Sequence, residues 1–327
     1  MARVYSEASP SIASHSGDSV MANPFLNQDV LSIKELSLQQ IELVLKTAAQ
    51  LKKKPQHDLL KNKIIANCFF EPSTRTRLSF ESAALKLGGK AIGFASDESL
   101  STQKGETLYD TMRIVSGYAD LIVIRHPKEG SARLAAEAAS VPVINAGDGA
   151  NQHPTQTLVD LFSIQECQGS LDDLSIALVG DLKYGRTIHS FAQACKFFNI
   201  RLFLVGPETL TLPENVCDQL KREGVRFSFH QTLQEVIHKV DIVYITRTQK
   251  ERMPSAEYEA SREQLFLNTA MLEQAKPNMR ILHPLPRVDE IDKAIDDTPH
   301  AYYFQQAENG VFVRQALLAL ILNGVPS

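Results

Sequence analysis

The sequence predicts an α/β protein of two domains, each a mostly parallel sheet flanked by helices. Short, almost wholly apolar runs recur along the chain, among them Lys63–Phe70, Leu121–Ile124, Leu174–Gly180 and Ile242–Ile245. Between them lie stretches with apolar residues at i, i+3, i+4 and i+7, the spacing of a helix with one buried face. Such alternation is what a parallel sheet covered on both faces requires. The length, 327 residues, accommodates two hydrophobic cores.

Residues 1–20, rich in Ser and Ala and without periodicity, read as a flexible extension, with Met21 a natural start for the folded chain. From Ile33 a helical pattern places Leu38, Ile41, Leu45 and Ala48 on one side and ends in Lys52-Lys53-Lys54-Pro55. The strand Lys63–Phe70 follows, then a helix whose buried face holds Phe80, Ala83, Ala84 and Leu87. A short run, Ala91–Phe94, precedes a polar loop from Ser96 to Gly105. Next come the helix of Leu108, Met112 and Val115, the strand Leu121–Ile124 ending in Arg125, a helix over Ala132–Ala139 and the strand Val141–Asn145. The glycine-rich turn Ala146–Gly149 leads to His153-Pro154, where a long helix carrying Leu158, Leu161 and Phe162 bridges to the second half. Strands there are Leu174–Gly180, Leu202–Val205, Val225–Ser228, Ile242–Ile245 and Arg280–Leu282, and an apolar helix, Val313–Leu322, closes the chain. This order implies a first domain over 21–153, completed by 310–327, and a second over 154–309.

A formal net charge of -4 gives no reason to expect nucleic acid or an anionic membrane as partner. No apolar run has the length needed to span a bilayer, and none reads as a secretory segment. Cys68, Cys167, Cys195 and Cys217 are scattered singly, without the paired spacing of a zinc site, and are expected as free thiols in a reducing cytoplasm.

Ligands of parallel sheets bind beyond the carboxyl ends of the strands. The polar clusters fall there: Ser73–Thr76, Arg125, Asn151–Gln156, Arg186, Arg247–Gln249 and His283–Arg287. Ser73-Thr74-Arg75-Thr76 occupies a strand-to-helix turn. Unpartnered helical N–H groups, two hydroxyls and a guanidinium there make an anion cradle without the glycines of a Walker loop. An ordinary N-cap with solvated arginines is the alternative. His153 and Gln156, three apart at a helix start, share a face and suit a carbonyl oxygen and an amide NH2, or else simply pack. Arg186 and Arg247 suit a dicarboxylate, with unliganded surface arginines as the other reading. Asp181–Arg186 follows a strand as a dinucleotide loop does, but the G-x-G-x-x-G spacing is missing, which excludes NAD.

Together these stretches resemble the carbamoyltransferases over nearly the whole chain from Met21. Ser73-Thr74-Arg75-Thr76-Arg77 and His153-Pro154-Thr155-Gln156 are similar to motifs shared by aspartate and ornithine enzymes. Gly180–Arg186 and His283-Pro284-Leu285-Pro286-Arg287 are similar to the aspartate-type catalytic subunits, where ornithine enzymes carry His-Cys-Leu-Pro in place of the latter. The resemblance implies transfer of a carbamoyl group from carbamoyl phosphate to L-aspartate in pyrimidine synthesis, without metal or organic cofactor. It implies phosphate contacts from Ser73, Thr74, Arg75, Thr76 and Arg125, and carbamoyl-oxygen contacts from Thr76, Arg125 and His153. The amino group would go to Gln156 and the carbonyls of Leu285 and Pro286. Aspartate would be held by Lys104, Arg186, Arg247 and Gln249. Glu71, Lys183 and Arg252 are candidates for interdomain ion pairs. The resemblance further implies a homotrimer with Lys104 supplied by a neighbour, of the type whose trimers associate with separate regulatory chains in an allosteric holoenzyme. Leu100 stands where the family pattern has serine, so Ser99 or Ser101 is expected to assist Lys104. Ornithine carbamoyltransferase and an inactive binding paralogue are the competing readings.

Overall fold

Continuous apolar runs become two parallel sheets in the computed structural model, which describes residues 23–95, 105–248 and 265–322. The first sheet comprises β1 (Ile64–Phe69), β2 (Lys90–Phe94), β3 (Leu121–His126) and β4 (Val143–Asp148), ordered β2-β1-β3-β4. The second comprises β5 (Ser175–Val179), β6 (Arg201–Val205), β7 (Arg226–His230), β8 (Ile242–Ile245) and β9 (Arg280–Leu282), ordered β7-β6-β5-β8-β9. Every strand pair in both is parallel.

Successive side chains of a strand point to opposite faces, so a run apolar at every position fills two cores. In β1, Ile65 and Phe69 enter one cluster while Ala66 and Cys68 enter another. In β5, Ile176 and Leu178 share the first cluster, and Ala177 and Val179 face a third. The central cluster is continuous across both sheets.

The α-helices among the described residues are α1 (Leu38–Lys53), α2 (Thr74–Lys86), α3 (Leu108–Val115), α4 (Ser131–Ala138), α5 (Pro154–Gln168), α6 (Arg186–Ala194), α7 (Glu214–Arg222) and α8 (Tyr303–Leu322). Phe80, Ala83, Ala84 and Leu87 are fully buried, as their spacing predicts. Several boundaries shift by one or two residues from the sequence expectation, and three differences have a clear local cause. Residues Ile33–Glu35 form a separate 3-10 turn, because Ser37 and Gln40 make a capping box that starts α1 afresh. Strand β4 begins after Pro142 and runs through the glycine-rich stretch to Asp148. Helix α8 begins at Tyr303, well before Val313. Its first turns carry Gln306 and Asn309, both buried and hydrogen-bonded, so the apolar pattern understates the helix.

Helix α5 packs on α1 and β4 of the first half and on α6 of the second. Helix α8 returns to lie against α1, α2 and α5. In the first sheet the strand order reverses direction between β1 and β3, and in the second between β5 and β8. Side chains leaving those four carboxyl ends meet in the crevice that such a reversal opens.

Candidate active site

A cavity of about 750 Å³ lies between the halves, walled by the segments that leave β1, β3, β5, β8 and β9 and by the starts of α2, α5 and α6. At its first-domain end, Ser73 is the N-cap of α2 yet makes no side-chain capping bond, and no acidic residue occupies the first turn. The hydroxyl is therefore left to an external acceptor, and the helix dipole favours an anion there. Thr76 is buried at 8% exposure; Arg75 beside it is exposed, and partial desolvation still draws its guanidinium below the ordinary pKa.

Arg125, near the end of β3, donates to Glu71 Oε1 at 2.7 Å and to the Ala146 carbonyl at 3.4 Å. Its Nε is buried without a hydrogen-bond partner among the described residues. Burial, aided by Arg186, draws its pKa down to about 10. Arg186, the first residue of α6, reaches the same Glu71 oxygen at 3.4 Å and donates to the Gly149 carbonyl. Gly147, at φ 119, makes this crowding feasible. A Cβ there would stand 3.3 Å from Arg186 Cζ and 3.4 Å from Arg125 Nη1.

His153 caps α5 and is 4% exposed. Burial, followed by the charges of Arg186, Arg125 and Arg314, holds its pKa well below 6.5, so the ring is neutral at neutral pH. A neutral imidazole beside three guanidiniums can donate one hydrogen bond without adding a fourth cation. Gln156, one turn on, donates through Nε2 to Asp160 Oδ1 at 2.7 Å.

The far wall is the turn after β9. His283 donates from Nε2 to Glu290 at 2.6 Å and accepts the Leu285 N–H at Nδ1 at 2.7 Å. One donor and one acceptor nitrogen fix the neutral tautomer, and burial keeps its pKa low. The Leu285–Pro286 peptide is cis, and Leu285 adopts φ 57. Arg287 turns to Asp296 and stacks over Tyr303 at 5.1 Å, so the last residue of this motif braces the turn.

Of the residues singled out in the sequence, Ser73, Thr74, Arg75, Thr76, Arg125, His153, Gln156, Arg186, Arg247, Leu285 and Pro286 all line this cavity. Lys104 and Gln249 lie outside the described residues, as do Ser99, Leu100, Ser101 and Arg252. Glu71 does make an interdomain pair, with Arg186, while Lys183 sits 5.1 Å over the Tyr184 ring. Sequence reasoning missed Gln306 and Arg314, which line the cavity from α8. The signal was an arginine inside an otherwise apolar helix, which must be buried and therefore answered. Gly310 leaves room for it, since a Cβ there would lie 2.4 Å from Arg314 Nη1. Among the described residues no group of three or more His, Cys, Asp or Glu side chains is placed to share a metal ion. No helix among them is long and apolar enough to cross a membrane.

Comparison with known proteins decides the kinship. Residues 28–166 match the carbamoyl-P binding domain of aspartate/ornithine carbamoyltransferases, and residues 172–321 match their Asp/Orn binding domain. The chain belongs to the aspartate/ornithine carbamoyltransferase family. Within that family it is 56% identical over 306 residues to the aspartate carbamoyltransferase catalytic subunit of Vibrio campbellii, covering 93% of this chain and 99% of the relative. The corresponding subunit of Chromobacterium violaceum is 56% identical over 294 residues, covering 90% and 97%. Among solved structures, the aspartate transcarbamoylase of Trypanosoma cruzi in complex with N-(phosphonacetyl)-L-aspartic acid superposes with a TM-score of 0.87 at 37% identity, covering 91% of this chain and 97% of that one. The M. jannaschii catalytic subunit gives 0.83 at 45% identity, covering 89% and 97%.

Proposed function

We propose that this carbamoyltransferase moves the carbamoyl group of carbamoyl phosphate to the α-amine of L-aspartate, giving N-carbamoyl-L-aspartate and phosphate in pyrimidine synthesis. The observation that carries this reading is the arrangement of charge in one cavity. A helix N-terminus with Arg75 and Arg125 supplies one anion site from the first sheet, and Arg186 and Arg247 supply a second from the other. Two anion sites that share one cavity with a neutral imidazole suit a phosphate and a dicarboxylate. Ornithine would need acidic partners for its side-chain amine. Glu71 is the only acid among the described lining residues, and arginines already engage it.

In this reading the neutral amine of aspartate attacks the carbamoyl carbon. Negative charge develops on the carbamoyl oxygen, where Thr76, Arg125 and His153 donate. The C–O bond to phosphate then breaks, the leaving group settles against Ser73, Thr74, Thr76 and Arg75, and phosphate accepts the proton released by the amine. Gln156 and the carbonyls of Leu285 and Pro286 accept from the carbamoyl NH2. Holding both substrates in line removes much of the entropic barrier, and closure of the halves over them excludes water.

The domain partition at 153/154, with the C-terminal segment returning to the first domain, belongs to the same proposal, as do a cytoplasmic setting and a homotrimer. Support for the trimer comes from Leu78, Leu85, Ile92, Tyr109 and Ile114, exposed apolar side chains on α2, β2 and α3. Lys104, in the segment joining β2 to α3, would act in a neighbour's cavity with Ser99 or Ser101, and Gln249 would join Arg247 on aspartate. Association with regulatory chains and allosteric control rest on likeness to proteins named catalytic subunits.

Steady-state assay of the purified chain with carbamoyl phosphate and either L-aspartate or L-ornithine tests the reading. Carbamoyl-aspartate is expected and citrulline is not. Citrulline alone would reassign the second substrate, and no product from either would leave a binding paralogue.

A further inference from the structure

Asp160 lies on α5 one turn beyond Gln156 and is fully buried, yet the chemistry above gives it no role. Its Oδ1 accepts from Gln156 Nε2 at 2.7 Å and from Gln306 Nε2 at 2.7 Å, and its Oδ2 accepts from the Tyr244 hydroxyl at 3.0 Å. A carboxylate can only accept, so both glutamine amides must turn their NH2 ends toward it. Gln156 is thereby left with its carbonyl oxygen for the cavity. Gln306 in turn uses its own carbonyl oxygen to accept the His283 N–H at 2.8 Å, and His283 Nδ1 accepts from Leu285 N–H at 2.7 Å.

We infer that Asp160 is the positioning residue that makes this site select an acyl phosphate bearing an NH2 group. Through Gln156 directly, and through Gln306 and His283 on the Leu285–Pro286 turn, one buried carboxylate orients the acceptors that face that NH2. Arg314, buried close by, provides the compensating charge that keeps such a carboxylate tolerable. Burial still pushes the Asp160 carboxyl up to about 7, against the lowering effect of its three donors. The inference rests on the proposed carbamoyl phosphate site, and adds to it the residue that sets its polarity.

Acetyl phosphate, with a methyl group where carbamoyl phosphate has NH2, is the probe. The quantity read is the ratio of the Ki of acetyl phosphate, as competitor, to the KM of carbamoyl phosphate, at mildly alkaline pH. Asp160→Ala frees Gln156 to present either end and should narrow that ratio about tenfold, the worth of one well-placed buried hydrogen bond. The narrowing should come from the carbamoyl phosphate term, with acetyl phosphate bound as before. Asp160→Asn, of the same shape, keeps one acceptor oxygen but can turn its amide toward either glutamine, and should narrow the ratio about threefold. It carries the test alone if the alanine variant does not fold. A ratio unchanged in the folded variants, or both ligands weakened in step, would show Asp160 to be structural only and overturn the inference. Failure of acetyl phosphate to compete with carbamoyl phosphate in the unmodified enzyme would instead overturn the proposed phosphate site.

Discussion

Arg125 Nη2 stands 2.7 Å from Glu71 Oε1. Arg186, from the other half of the molecule, approaches the same oxygen at 3.4 Å. One carboxylate therefore engages two guanidiniums that the proposed reaction needs for substrate anions, and offsets only one of their two charges. Glu71→Gln removes that competitor without removing bulk. Inorganic phosphate should bind the substituted protein about fivefold more tightly by calorimetry, equivalent to ~1 kcal/mol for a partly exposed ion pair. Unchanged or weaker binding would mean that Glu71 does not compete with the anion.

Arg75 and Arg247 both line the cavity, and in the proposed reaction one serves the phosphate and the other aspartate, so they should fail differently. Arg75→Ala removes a preorganised donor from the leaving phosphate, so kcat should fall about 10²–10³-fold with the aspartate KM little changed. Arg247→Ala should chiefly raise the aspartate KM. Equal effects of the two substitutions on both parameters would contradict this division.

The depressed pKa of His153 gives a pH prediction with a definite sign. The folded value lies below the ordinary 6.5, so the neutral ring's contribution to stability is complete above 6.5 and is lost as pH falls toward the folded value. Histidine-ring NMR should show His153 neutral at pH ~6, where an unperturbed histidine is mostly protonated. His153→Gln should flatten the dependence of stability on pH below 6.5. A ring titrating at its ordinary pKa would refute the electrostatic description of the site.

The fold and much of this site were legible in the sequence because the two signals are local. Continuous apolar runs fix parallel strands, and polar clusters at strand ends mark the crevice. Ser73–Thr76, Arg125 and Arg186 are found by that logic alone. Asp160, Gln306 and Arg314 escape it, since each is a polar residue inside a helix and is answered at least in part by groups far away in the chain. Gln306 and Asp160 are 146 positions apart. The α5 and α8 sequences record that polar groups are buried there, but not which group answers which. The extent of α8 was understated for the same reason.

Packing of α8 gives a stability prediction. Leu317 is fully buried in the central cluster, and its helix lies on α1, α2 and α5. Leu317→Ala should cost about 2–5 kcal/mol in denaturant unfolding, from lost transfer energy and a residual cavity. Val288→Ala, at 66% exposure, should change stability by less than about 0.5 kcal/mol. Comparable costs at the two positions would place the core elsewhere.

The central claim, one cavity with a phosphate end on α2 and a dicarboxylate end on Arg186 and Arg247, is tested most directly by a crystal structure with N-(phosphonacetyl)-L-aspartate. The expected result puts the phosphonate against Ser73, Thr74, Arg75 and Thr76, the amide oxygen near His153 and Arg125, and the two carboxylates on Arg186 and Arg247. A ligand bound in the reverse orientation, or outside this cavity, would contradict it.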